Sequence, residues 1–242
     1  MPIVTEIVPL PARSVALSLL LGSHPDRMSP AMLIRAGEHL GIPSSTMRVA
    51  LTRAVAAGDL RRLDGDYVLG ERLVRRQRHQ DEGVEDAERP WDGSWEMTVV
   101  VVSGRPGPER AALRDLLTGH RLAELREGVW TRPANLRRPQ QYADDPVLRV
   151  FRAEPDDPAR LAATLWDLDT WVRDGRALLE RLDATTDPAP RLAVAAALVR
   201  HLSADPLLPQ DLLPRDWPAA ELRSRYTAYQ AELRELAADR TG

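Results

Sequence analysis

Cysteine and lysine are both missing from this 242-residue chain, and phenylalanine occurs once. Without cysteine there is no disulfide scaffold, no thiolate zinc site and no cysteine nucleophile, and a reducing cytoplasm suits the chain. Without lysine all 33 basic residues are arginine, so every side-chain cation other than histidine is a planar guanidinium able to grip a carboxylate or phosphate through two parallel bonds. Long hydrophobic runs are missing too. The apolar stretch 15–21 falls far short of the roughly 20 residues a spanning helix needs, and no small-residue cleavage pattern follows it. The five histidines show no metal-ligand spacing, and no HExxH, Walker A or G-x-S-x-G motif occurs. No catalytic residue, metal or cofactor is therefore expected.

What remains is the profile of a folded globular protein, 43% hydrophobic and 29% charged, with 20 prolines. The net charge of −3 hides an asymmetry. Residues 1–80 carry 11 Arg against 7 acidic residues, whereas 81–242 carry 22 Arg against 29. A basic N-terminal third permits nucleic-acid binding there.

The punctuation of that third is clear. Residues 13–21 place Leu17, Leu20 and Leu21 on one helical face with Val15 and Leu19 beside it, stopped by Gly22-Ser23-His24-Pro25. Ser29 stands at an N-cap with Pro30 behind it, opening a second helix through Leu33, Ala36 or Gly37, and Leu40. After Gly41-Ile42-Pro43, Ser44 is expected to cap a third helix whose apolar set is Met47, Ala50, Leu51, Ala54 and Val55, ended by Gly58. The short gap between these two helices is that of a helix-turn-helix. Then Leu60-Arg61-Arg62-Leu63 and Asp66-Tyr67-Val68-Leu69 flank Asp64-Gly65, a type I′ hairpin signal. Three helices and a hairpin predict a winged helix. Residues 71–80 read as a polar, arginine-rich helix and 81–88 as an acidic linker, closing a first domain over 10–88.

The second segment, 89–154, opens with Trp91-Asp92-Gly93-Ser94-Trp95. The run 96–102 suits a strand buried on both faces. Residues 108–119 predict a helix with Ala112, Leu113, Leu116 and Leu117 inward, and 122–131 and 147–152 predict strands. Strand, helix, strand, strand is most of a ferredoxin-like unit. From 155 to 242 the chain is helical: a periodic stretch from Leu161 to Leu182, a second over 193–202 and a last over 222–238, with a proline-broken connection between. The expected fold class is α+β and multidomain: an N-terminal winged helix-turn-helix, a middle ferredoxin-like α/β domain and a helical C-terminal domain.

At about 100° per residue, the third helix turns Ser45, Val49, Thr52, Arg53 and Ala56 outward with Arg48 at the flank. That side suits a major groove. Its small residues permit close approach, Arg48 or Arg53 offers a fork to guanine, Val49 meets a thymine methyl, and the helix start at Ser44 suits a phosphate. Arg61 and Arg62 in the wing would touch phosphates or the minor groove. The same residues also describe an ordinary solvated helix face and an exposed strand. Arg75, Arg76 and Arg78 either reach the DNA backbone or pair with the acids of 81–88.

Taken together, the stretch Met47-Arg48-Val49-Ala50-Leu51-Thr52-Arg53 with Gly58-Asp59-Leu60, the Trp91 to Trp95 motif, Gly128-Val129-Trp130 with Pro133, and Asp205-Pro206-Leu207-Leu208-Pro209 with Leu212-Leu213-Pro214-Arg215-Asp216-Trp217-Pro218 resemble the PaaX family. These are bacterial transcriptional regulators, repressors named for phenylacetate catabolism. The resemblance implies a winged helix on double-stranded DNA, a Cas2-like middle domain, and a homodimeric repressor released by an aryl-CoA thioester such as phenylacetyl-CoA. It also suggests that Trp130, Arg132, Arg137 and Arg138 border an effector pocket, the ring stacking on an aryl group and the guanidiniums meeting CoA phosphates. The first reading of the six tryptophans is nevertheless as core or domain-interface residues, since Trp is large and largely buried. Two rivals stand beside this reading. A Cas2-like fold admits a metal-dependent nuclease with a carboxylate at the end of its first strand, but here that strand ends Val102-Ser103-Gly104, and Asp92 and Glu96 lie at its start. A winged helix can also contact protein instead of DNA.

Overall fold

Gly41 is where the first two-helix unit is decided. In the computed structural model, which describes residues 7–21, 27–71, 73–74 and 90–238, α1 (Ala12–Leu21), α2 (Pro30–His39) and α3 (Ser44–Ala56) precede a small sheet. Ser29 caps α2 by accepting the Met32 amide at 3.2 Å. The chain leaves α2 through Gly41 at φ 75°, a left-handed position that glycine takes without strain, and Gly41 and Ile42 donate back to the carbonyls of Glu38 and Gly37. That closure aims the next residues at α3. Gly37 faces Met47, whose terminal methyl lies 2.5 Å from where a Cβ would stand, so the Met47 side chain packs into the space a side chain at 37 would take.

The sheet contains β1 (Arg27–Met28), β2 (Leu60–Leu63) and β3 (Asp66–Leu69) in the order β1-β3-β2, all antiparallel. The hairpin forms as the sequence predicts, with Asp64 and Gly65 at φ 50° and 88°, both positive as a type I′ turn demands. Two residues of β1 are too few for a periodic signal, so only the structure reveals this third strand. The buried face of α1 is Val15, Ala16, Leu19 and Leu20, with Leu17 and Leu21 half-buried, a shift from the face expected.

By contact the chain gathers into two units: Met1–Val84 with Val172–Ala204 and Pro218–Gly242, and Glu85–Trp171 with Asp205–Trp217. The first unit adds to the elements above most of a helix that runs Leu168–Ala184, together with Pro188–Ser203 and Ala219–Ala238. The expected arginine-rich helix over 71–80, with Arg75, Arg76 and Arg78, and the acidic linker behind it lie largely outside the described residues, as does the stop at 22–25.

The second unit is built on β4 (Trp95–Val100), α4 (Gly107–Gly119), β5 (Ala123–Arg126), β6 (Val129–Pro133) and β7 (Leu148–Ala153). Its sheet has the antiparallel order β5-β6-β4-β7. The single strand expected over 122–131 is a hairpin, turning at Glu127-Gly128, which supplies the ferredoxin-like strand order in full. Between β6 and β7, where such a unit carries its second helix, there is one 3-10 turn at Gln141–Asp144, and Pro146 disfavours its continuation as a helix by pushing Asp145 into extended conformation. β4 is shorter than expected and is not buried throughout. Its pairing ends at Val99 on β6 and Val100 on β7, so Val101 and Val102 continue beyond the sheet and are half-exposed. Of the four α4 residues expected inward, Leu113 and Leu117 are buried and Ala112 and Leu116 face solvent, a narrower stripe than the sequence suggests.

One sheet face and α4 enclose Leu113, Leu117, Leu122, Trp130, Tyr142 and Leu148. A second cluster joins Trp95, Ala162, Leu168, Leu208 and Leu212. Burying each such leucine contributes about 1.5–3 kcal/mol. The long helical stretch expected from Leu161 is two helices, α5 (Pro158–Leu165) and α6 (Leu168–Ala184), followed by α7 (Pro188–Ser203) and α8 (Ala219–Ala238). Trp166 is extended and the Asp167 carboxylate accepts the Thr170 amide at 3.1 Å, so a cap interrupts the periodicity. Trp171 stacks on Trp217 with centroids 3.9 Å apart. No helix among the described residues is long and apolar enough to cross a membrane.

Candidate nucleic-acid interface

The third helix displays two chemistries on two sides. Met47, Ala50, Leu51 and Ala54 are buried against α1, α2 and the sheet. Ser45, Arg48, Val49, Thr52, Arg53 and Ala56 are exposed, with Val49 at 50%. Val55, expected in the core, lies outward at 37% exposure and widens the open side. Gly58 ends the helix through amide bonds from Gly58 to Val55 and from Asp59 to Ala54.

Ser44 is not the cap. Pro43 occupies that position in extended conformation, its carbonyl accepts the Met47 amide at 3.0 Å, and Ser44 is already helical. Proline has no side-chain acceptor, so no side chain among the described residues caps α3, and the start of the helix is open to an anion. The Thr52 hydroxyl donates to the Arg48 carbonyl at 3.0 Å, which leaves its oxygen as an acceptor on the exposed side. The guanidiniums of Arg48 and Arg53 form no hydrogen bond or ion pair with other described residues.

The β2–β3 hairpin separates its two arginines. Arg62 folds over the ring of Tyr67, its cross-strand neighbour, with the guanidinium carbon 4.6 Å from the centroid and Nη2 donating to the Tyr67 hydroxyl at 3.0 Å. Arg61 is exposed and unpaired among the described residues. Arg27 of β1 donates to Asp66 at 2.9 Å and steadies the hairpin from the other edge. Arg13 of α1 donates to the buried Asp59 carboxylate at the root of β2.

Residues 11–73 match the description PaaX-like protein, residues 88–159 the PaaX protein central Cas2-like domain, and residues 161–241 the PaaX-like protein C-terminal domain. The chain belongs to the PaaX family. A solved structure of similar fold, described as uncharacterized protein Rv0674 from Mycobacterium tuberculosis, is 45% identical over 94% of this chain and 97% of its own, with a TM-score of 0.83. No curated protein matches the chain.

Within this PaaX chain the four residues expected at an effector pocket have different surroundings. Arg132 is wholly buried: Nε donates to the Pro133 carbonyl at 3.0 Å, and Nη2 to Asn135 Oδ1 and the Leu207 carbonyl at 2.9 and 3.0 Å. Burial pushes its guanidinium down to about 9, helped by the charge of Arg138 and opposed by Glu96, so it remains charged at neutral pH. Arg138 donates to the Glu96 carboxylate and reaches His120 Nδ1 at 3.1 Å. Arg137 is exposed. Trp130 is 5% exposed and borders a different space, a cavity it shares with Arg105, Arg110 and Arg114. Sequence reasoning passed over these three, although the i, i+4 spacing of Arg110 and Arg114 on a predicted helix was a readable signal.

The two carboxylates considered for a nuclease are both engaged. Asp92 accepts the Ser94 amide and hydroxyl at 3.1 and 2.5 Å and pairs with Arg152. Glu96 accepts from Arg138, Gln140 and Tyr142.

Proposed function

We propose that this PaaX-family protein is a transcriptional regulator whose residues 10–88 form a winged helix-turn-helix on double-stranded DNA, with 89–154 and 155–242 as its middle and C-terminal domains. In this reading α3 lies in the major groove. Arg48 and Arg53 offer forks to guanine, Val49 meets a thymine methyl, Ser44 and Ser45 bring the uncapped helix start to a phosphate, and Thr52 lines the approach. Each good base contact contributes about 1–3 kcal/mol of discrimination. Arg61 meets the backbone, and Arg62 serves chiefly to stiffen the wing. The observation that carries the reading is the open side of α3, where small and apolar residues lie between two guanidiniums unpaired among the described residues.

The protein acts as a cytoplasmic homodimeric repressor, two copies reading half-sites separated by about 34 Å or a multiple of it on one face of the duplex. Phe151, 54% exposed on the edge strand β7, supports contact between copies. A small-molecule effector, an aryl-CoA thioester by the family resemblance, releases DNA by favouring a geometry that no longer matches that spacing.

The test is a mobility-shift titration on the DNA upstream of the protein's own gene. Arg48→Ala and Arg53→Ala each lose sequence-specific binding, and the wild-type affinity falls steeply with added salt. Retained specific binding by both variants overturns the assignment.

A further inference from the structure

Val49 stands in the middle of the open side of α3 with half of its surface uncovered. Its neighbours one turn away along the helix are Ser45 and Thr46 before it and Thr52 and Arg53 after it, all exposed. Three of the four are no longer than valine. Only Arg53 reaches past it, from a Cβ about 5–6 Å away. Arg48, though adjacent in sequence, points about 100° away around the helix. Valine in a helix keeps essentially one χ1 rotamer, so its two methyl groups already hold a fixed place and lose little freedom on contact.

The side chains from Ser44 to Ala56 also limit what can be read. They include no asparagine or glutamine, the amides that grip adenine at N6 and N7, and no aspartate or glutamate to accept from cytosine N4. The Ser45 and Thr46 hydroxyls suit any base edge and select none. The Thr52 hydroxyl hydrogen is committed to the Arg48 carbonyl, so its oxygen can only accept, and it meets the amino groups of adenine and cytosine alike. What remains selective is a guanidinium for guanine and methyl groups for the methyl of a pyrimidine.

We propose that α3 recognises a pyrimidine C5-methyl group together with a guanine one or two base pairs away, the methyl on Val49 and the guanine on Arg53, so that 5-methylcytosine is accepted in place of thymine. The spacing follows from the helical turn between the two residues, which spans between one and two base-pair steps of about 3.4 Å. Cytosine without the methyl offers Val49 nothing to contact. The inference rests on the regulator reading of α3 and adds to it the chemical mark that is read, a methyl group whichever base carries it.

Anisotropy titrations of the full chain test it on the duplex upstream of its own gene, with thymines replaced one at a time by uracil and guanines by 7-deazaguanine. Replacing one thymine weakens binding about three- to fivefold, the size of one buried methyl. Replacing a guanine one or two base pairs from it costs about fivefold or more. At that pyrimidine position 5-methylcytosine binds about three- to fivefold tighter than cytosine. Val49→Ala abolishes both methyl effects and keeps the guanine effect, Arg53→Ala does the reverse, and unchanged melting curves show that both variants fold. Specific binding with no methyl-sensitive thymine, with none near a sensitive guanine, or with a methyl dependence that persists in Val49→Ala overturns the proposal and leaves the regulator reading in place. Binding no tighter than to unrelated DNA overturns both.

Discussion

The Tyr142 hydroxyl donates to the Glu96 carboxylate at 2.7 Å inside the second unit, where Arg138 and Gln140 donate to the same group and Arg132 stands 3.5 Å away. Burial pushes the Tyr142 phenol up, and the charge of Glu96 adds to it. One carboxylate thus ties the loop before β7 to the first strand. Glu96→Gln strands Arg132 and Arg138 with no anion and is expected to cost about 3–5 kcal/mol, as when one partner of a buried pair is removed. Tyr142→Phe removes one bond to a charged acceptor and costs about 1–3 kcal/mol. Urea unfolding of both variants checks the ranking, and equal losses show that hydrogen bonding, not charge, holds the cluster.

Gly70 presses on the backbone at the end of α3. Its amide donates to the Asp59 carbonyl at 2.6 Å, and a Cβ built on it would lie 2.1 Å from the Gly58 carbonyl oxygen. The obstacle is main chain and cannot rotate away. Gly70→Ala is therefore expected to cost about 1–3 kcal/mol, lowering the melting temperature by roughly 2–4 °C per kcal/mol for a chain of this size. An unchanged melting curve means that the hairpin's root yields freely.

Much of residues 27–70 is legible because its signals are local, the two-residue β1 excepted. Ser29 before Pro30, glycines after two helices and Asp64-Gly65 each determine backbone geometry within a few residues, and the structure has them where expected. Ser44 misleads locally, because Pro43 takes the cap position; other errors arise where a distant partner decides. Val101 and Val102 look like strand until β6 and β7 run out beside them, and Val55 looks like core until no element covers it. The α5–α6 break was local but outvoted, since a regular leucine spacing masked the cap at Asp167. Arg132 is the harder case. Nothing in Thr131-Arg132-Pro133 announces a buried guanidinium, because beyond the adjacent Pro133 carbonyl its acceptors lie at Asn135 and, 75 residues away, at Leu207.

Asp92 offers a readout of the Trp91 to Trp95 turn. The Ser94 hydroxyl, then its amide, then Arg152 hold the Asp92 carboxyl at about 2, against an ordinary 3.8. A carboxylate lowered in the folded state favours folding above its ordinary pKa, and this contribution fades as pH falls through about 2. Ser94→Ala removes the largest cause, so the Asp92 carboxyl is expected to move toward 3.8. Carboxyl-carbon chemical shifts followed against pH measure it; a value still near 2 in the variant transfers the effect to the backbone amide of residue 94 and to Arg152.

Arg61 and Arg62 are adjacent in sequence and alternate across β2, so they are predicted to fail differently. Arg61 is exposed and unpaired among the described residues, which suits a phosphate contact; Arg61→Ala weakens DNA binding about equally for all sequences and reduces the slope of log affinity against log salt by about 1. Arg62 is spent on the Tyr67 ring and hydroxyl, so Arg62→Ala costs about 0.5–1 kcal/mol of stability and leaves that slope unchanged. Anisotropy titrations at several salt concentrations, paired with melting curves, separate the two effects. A drop in slope for Arg62→Ala equal to that for Arg61→Ala means that Arg62 leaves Tyr67 when DNA arrives, and the wing is then remodelled by its ligand and not fixed by its hairpin.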